Sequence, residues 1–131
     1  MIGGKVLDAS ALSHFATVKS IYAQAVAWAA VEDNTVLVVP AAALAVAWAD
    51  IPSSGHEVLE VLLNLPVTVI DILDRTRAQD VGLFLARIGS KEQPTAAHVL
   101  QCAHDRGWPV LTADPHTLRA LDSSVEVEEL P

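Results

Sequence analysis

Val36-Leu37-Val38-Val39-Pro40-Ala41-Ala42-Ala43-Leu44-Ala45-Val46-Ala47-Trp48-Ala49 is the longest apolar run of the chain, fourteen residues without a charge. A bilayer span needs about 20 apolar residues, so the run is too short to cross a membrane. Pro40 divides it. The residues before the proline are rich in β-branched side chains and read as a buried strand. The alanine-rich residues after it read as a buried helix, Ala41 to Asp50, stopped by Pro52.

The same alternation repeats outward from this run. Lys5-Val6-Leu7-Asp8, Val67-Thr68-Val69-Ile70, Val110-Leu111-Thr112 and Val125-Glu126-Val127 read as further strands. The middle three strands are short and almost wholly apolar, as expected of parallel strands covered on both faces. Helical patterns lie between them. Ser10 to Glu32 carries Phe15, Val18, Ile21, Tyr22, Ala25 and Trp28 near helical spacing; Glu57 to Leu65 has Ser53 or Ser54 as its N-cap. Thr76 to Ile88, Thr95 to Arg106 (ended by Gly107) and Pro115 to Leu121 complete the set. Alternating strands and helices predict one α/β domain over residues 1–131. Its expected form is a three-layer sandwich, a central parallel five-stranded sheet flanked by helices.

Composition bounds the chemistry. Sixteen acidic residues against eight basic ones give a net charge of -8, which repels a phosphate backbone. Contact with RNA then requires a local basic patch, a metal ion or a basic partner, and the same acidity suits a basic protein partner. Cys102 is the single cysteine, so no internal disulfide forms and a cytoplasmic location is expected. Met1 to Asp8 has no long apolar run after Lys5, so no signal peptide is expected. Glycine-rich phosphate loops, paired-cysteine zinc motifs and serine nucleophile elbows are missing.

In a parallel sheet the binding crevice lies beyond the carboxyl ends of the strands. Asp8 follows the first predicted strand, Asp71 and Asp74 the third, and Asp114 the fourth. Clustered carboxylates are the hard oxygen ligands that Mg²⁺ or Mn²⁺ takes, and such a site activates water for phosphodiester cleavage. Each acid also has a local reading: Asp8 and Asp114 as helix caps, Asp71 and Asp74 as solvated loop charges. His14 and His116 flank the two strand-end acids, as general bases or as surface and capping histidines. Cys102 reads as a buried, inert thiol. Trp28, Trp48 and Trp108 are expected to pack the core or a homodimer face.

Val6-Leu7-Asp8-Ala9-Ser10-Ala11-Leu12 resembles the opening of PIN-domain proteins, and Gly107-Trp108-Pro109-Val110-Leu111-Thr112-Ala113-Asp114 resembles their fourth strand and its terminal acid. Val38-Val39-Pro40 and the small-residue helix after it resemble their second strand and the helix that follows. The resemblance, to PIN domains of the VapC toxin type, covers nearly the whole chain in order and spacing. It implies a Mg²⁺ or Mn²⁺ site of three or four acids, endoribonuclease activity, homodimers and a small basic antitoxin partner. Carried over, the first acid is Asp8 and the last Asp114, supported by Ser10 and Thr112. The two other acid positions fall on Val46 and about Ala96, and neither is a carboxylate. Asp50, one helical turn from Val46, and His98, two residues from Ala96, are the candidate substitutes. The resulting expectation is a PIN-like domain with a reduced acidic site, catalytically impaired and serving as a binding or regulatory module. The alternative is an active metal-dependent endoribonuclease, the toxin of a toxin–antitoxin pair. A small-molecule binder using the same crevice is the third reading.

Overall fold

The computed structural model describes residues 3–17 and 21–130. Strand β1 (Gly4–Leu7) leads into α1 (Ala9–Thr17) and α2 (Ile21–Asp33), then β2 (Val36–Pro40), α3 (Ala41–Asp50) and α4 (Ser53–Leu63). The chain continues through β3 (Thr68–Asp71), α5 (Arg75–Ile88), α6 (Pro94–Arg106), β4 (Val110–Thr112), α7 (Pro115–Leu121) and β5 (Val127–Glu129). All five strands are parallel, in the order β3-β2-β1-β4-β5. The architecture is the three-layer α/β sandwich expected from the sequence.

The centre of the sheet explains the valines. Val6 pairs with Val38 on one side and Val110 on the other, and all three are 0% exposed. Parallel neighbours must be joined by crossovers, whose helices cover both faces, so central strands are apolar on both sides. Each such valine contributes about 1.5–3 kcal/mol of burial.

Four expectations differ in detail. β3 is an edge strand, and Val69 is 44% exposed, so coverage on both faces does not extend to it. The segment read as one helix from Ser10 to Glu32 holds two, α1 and α2, and its Val18 lies outside the described residues. β5 begins at Val127 rather than Val125, because its register is set by β4, with Val110 opposite Val127. α4 starts four residues early, at Ser53, and neither Ser53 nor Ser54 caps it: extended Pro52 occupies the N-cap position, with no side-chain cap bond.

Two glycines have positional reasons. Gly107 ends α6 in the left-handed conformation, φ 67°, which costs glycine nothing. Gly4 lies under the Trp108 ring so closely that a Cβ would stand inside van der Waals contact with three ring atoms. Gly4→Ala must push the indole off β1, and we expect a loss of about 1–2 kcal/mol, read as a lower urea midpoint and altered tryptophan emission. An unchanged midpoint would show that the ring relocates freely. No helix among the described residues is long and apolar enough to cross a membrane.

Candidate functional site

The adjacent carboxyl ends of β1 and β4 are tied together by hydroxyls. Asp8, nearly buried after β1, caps α1: its Oδ1 accepts from the Ala11 amide at 2.9 Å and the Ser10 hydroxyl at 2.6 Å. Ser10 Oγ accepts from the Ala113 amide at 2.8 Å and lies 3.3 Å from Thr112 Oγ1. Thr112 Oγ1 in turn accepts from the Asp114 amide at 2.9 Å. Ser10 and Thr112 therefore fix where both acids leave the sheet. Asp114 caps α7, accepting from the Thr117 hydroxyl at 2.6 Å and the Thr117 amide at 3.4 Å. The hydroxyl bond, then the amide bond, hold the exposed Asp114 carboxyl below its ordinary range.

Asp8 and Asp114 line one cavity of about 380 Å³, together with Ser10, Glu92, Ala96 and Thr117. The structure brings the two predicted acids together and sets Ala96 in the same wall, a methyl where the resemblance calls for an acid. No residue of α3 lines this cavity among the described residues. Val46 is 46% exposed, and Asp50 ends α3 about 13 Å along the axis from its start. His14 is half-buried, with Nδ1 3.0 Å from the Ser10 carbonyl, and His116 is exposed; neither lines the cavity. Glu92 is the acid that sequence reasoning missed. It sits in the loop before α6, just ahead of Gln93 to His104, a stretch that holds no acid. An acid just ahead of the Pro94 helix start was the available signal.

The donor set is all hard oxygen and fits a hydrated Mg²⁺ or Mn²⁺ held by one or two carboxylates and water. It does not demand one. Asp8 and Asp114 each sit at the N-terminus of the helix they cap, where the helix dipole offsets negative charge.

A second cluster lies beyond β3. The Asp71 side chain, 9% exposed, accepts from His98 Nε2 at 2.8 Å, Arg77 Nε at 3.0 Å, Arg77 Nη2 at 3.3 Å and Arg106 Nη2 at 3.2 Å. Burial opposes its charge, but the bonds from His98 and Arg77 outweigh that and bring its pKa down to about 2. Asp71 is thus an ion-pair hub, not the solvated loop charge expected, whereas Asp74 simply caps α5 through the Arg77 amide. His98 is fully buried. Its Nδ1 accepts from the Ala42 amide at 3.4 Å, so Nε2 carries the proton donated to Asp71. The ring caps the first turn of α3, whose N-cap residue Pro40 supplies no side-chain cap bond. Both ring nitrogens are engaged away from the Asp8–Asp114 cavity, which removes His98 as a substitute acid there.

Ligand atoms of Asp71, His98 and Cys102 fall within 4.8 Å of one another, a spacing a metal ion could bridge. Their present bonds oppose it. Arg77 already neutralises Asp71 and points Nη2 at Cys102 Sγ, 3.7 Å away. Binding at Nε2 would move the histidine proton to Nδ1, against the Ala42 amide. Burial, then the Asp71 charge, push the Cys102 thiol up to about 12, consistent with an inert thiol.

No protein-family model matches the chain, and no curated protein matches it closely enough to count as a relative.

Proposed function

We propose that this chain is a PIN-like domain with a reduced acidic site, impaired as a nuclease and acting as a binding or regulatory module. The observation that carries the reading is Ala96: its methyl lines the cavity that Asp8 and Asp114 share. A carboxylate there would add the charge that offsets the dehydration of a hard cation. The two remaining acids are already hydrogen-bonded as helix caps. The net charge of -8 points to a small basic protein as the partner rather than to a bare polyanion. A cytoplasmic setting belongs to the same proposal and rests on the single, buried Cys102.

A second reading, an active endoribonuclease, is favoured by Glu92, a third carboxylate on the same cavity. Asp8, Glu92 and Asp114 would then hold Mg²⁺ or Mn²⁺, which supplies an activated water and charge stabilisation for phosphodiester cleavage. Nothing comparable favours a small-molecule ligand.

Calorimetric titration of Mn²⁺ separates the two. Asp8→Asn is a clean probe, because an asparagine oxygen still accepts from the Ala11 amide and preserves the cap. For the impaired module we expect no heat at millimolar Mn²⁺, no chelator-sensitive RNA cleavage, and measurable binding once Ala96→Asp is introduced. Binding in the wild type that disappears in both Asp8→Asn and Glu92→Gln, with RNA cleavage lost alongside, would overturn the proposal in favour of the nuclease.

A further inference from the structure

The cavity shared by Asp8 and Asp114 presents two kinds of unsatisfied group. On one wall, both bonds to the Asp8 carboxylate fall on Oδ1. Oδ2 has no partner among the described residues, although the side chain is only 9% exposed. No fully buried side-chain oxygen of those residues goes unsatisfied, so Oδ2 is the atom that Asp8 presents to the cavity it lines. On the other wall stands the N-terminus of α6, with Gln93, Pro94, Thr95 and Ala96 lining the same space. Asp8, Asp74 and Asp114 cap the helices that follow them. α6 has no such cap: Gln93 makes no side-chain bond, and no acid occurs in the first turn. The Ala97 amide donates to the Gln93 carbonyl at 3.1 Å and opens the helical ladder. Pro94 has no N–H, so Thr95 and Ala96 each bring a backbone donor that the helix itself cannot satisfy.

Neither a cation nor an anion alone meets both walls. A cation satisfies the carboxylates and leaves the amides; an anion satisfies the amides and faces the carboxylates. A divalent cation that carries a carboxylate does both. Asp8 and Asp114 balance the charge of the cation. One oxygen of the added carboxylate joins its hard-oxygen shell, and the other accepts from the amides at the positive end of the helix dipole. The cavity of about 380 Å³ has room for the pair with several waters, each of which takes about 30 Å³ in the liquid. The missing side chain sets the size of the added group, since an aspartate at position 96 would differ from Ala96 by one carboxylate. Its single charge suits a chain of net charge -8 better than the near-double charge of a phosphate monoester.

We propose that the cavity takes a divalent cation only jointly with a carboxylate from the bound protein partner, at the place that Ala96 leaves open. The inference rests on the reduced-site reading above and adds its regulation: metal enters the site with the partner and not before it. Even a basic protein carries acidic side chains and a C-terminal carboxylate, and either supplies the group. A free small carboxylate offers the same chemistry and is the competing source.

The experiment is calorimetric titration of Mn²⁺ in chloride, in acetate, and in chloride containing a blocked Gly-Asp-Gly peptide, all at one ionic strength. Acetate and the peptide are each expected to raise the Mn²⁺ affinity of the wild type by about tenfold or more, into the measurable range. By linkage, Mn²⁺ raises the affinity for acetate by the same factor. Ala96→Asp should bind Mn²⁺ in chloride and gain nothing from acetate. Ala96→Leu, with an unchanged circular dichroism spectrum, should lose the response, because the larger side chain fills the space. Asp8→Asn should bind in none of the three media. If acetate leaves the wild-type affinity unchanged while Ala96→Asp binds in chloride, the inference is overturned and the reduced-site reading stands. Tight binding by the wild type in chloride alone overturns both. An acetate response that persists in folded Ala96→Leu puts the anion elsewhere and also overturns the inference. A response to acetate but not to the peptide overturns the partner as its source.

Discussion

His98→Ala lowers the stability of the fold by about 3–5 kcal/mol, through a cavity and two orphaned polar groups together. The imidazole is 0% exposed, so its removal leaves a space that a close-packed interior only partly refills. The Ala42 amide loses its acceptor at the start of α3, where Pro40 offers no replacement. Asp71 loses one of its donors. Urea denaturation at pH 7 reads the total. Two further variants divide it: glutamine can mimic Nε2 and keep the bond to Asp71, whereas asparagine can mimic Nδ1 and keep the bond to Ala42. Each is expected to recover about 1 kcal/mol relative to alanine. A loss below about 1 kcal/mol for His98→Ala would mean that the buried histidine is not the joint between α3, α6 and β3 described here.

That histidine also marks where the sequence stopped being legible. Val6, Val38 and Val110 announced the sheet because central parallel strands are covered on both faces, so their own side chains specify them. The edge strands were less clear. β3 and β5 each pair with one neighbour, and β5 takes its register from β4 rather than from its own alternation. Asp8 and Asp114 could be found because strand ends fix where a crevice opens, and Ser10 and Thr112 proved to be the hydroxyls that join those ends. The Asp71 hub was hidden because two of its three partners, His98 and Arg106, lie 27 and 35 residues away in sequence, and only Arg77 is near, at six. Glu92 was hidden because the position of the loop ahead of α6 depends on tertiary packing. Val46 and Ala96 were equal losses in the sequence, yet only Ala96 stands in the cavity wall. The three tryptophans, expected in the core or a homodimer face, could not be told apart in the sequence: Trp48 and Trp108 pack against the core, whereas Trp28 is 70% exposed.

Asp71→Asn is expected to cost about 2–3 kcal/mol at pH 7, as one charged hydrogen-bonding partner is replaced by a neutral one. That penalty should shrink on acidification. The folded carboxyl titrates at about 2, below the ordinary 3.8. Folded protein therefore binds this proton less readily than unfolded chain does, and stability tied to the charge rises with pH. It is fully present above pH 4, and it is lost as pH falls from about 4 toward 2. Allowing for solvent screening, the part that titrates is about 1–2 kcal/mol. The difference between wild type and Asp71→Asn should hold constant from pH 7 to about 4.5 and close by that amount near pH 2. Asp114, exposed and held below its ordinary range by its bonds to Thr117, has the same sign, so the gap between wild type and Asp114→Asn should also narrow, not widen, on acidification. A gap for Asp71→Asn that is equally wide at pH 7 and pH 2 would show that shape, and not charge, is what the hub contributes. Zinc gives the same argument a second reading. Because Arg77 and Arg106 already balance Asp71, 100 μM Zn²⁺, a dose chosen for the assay, should leave the thermal midpoint of the wild type unchanged. A rise that disappears in Asp71→Asn would instead show that metal displaces the arginines.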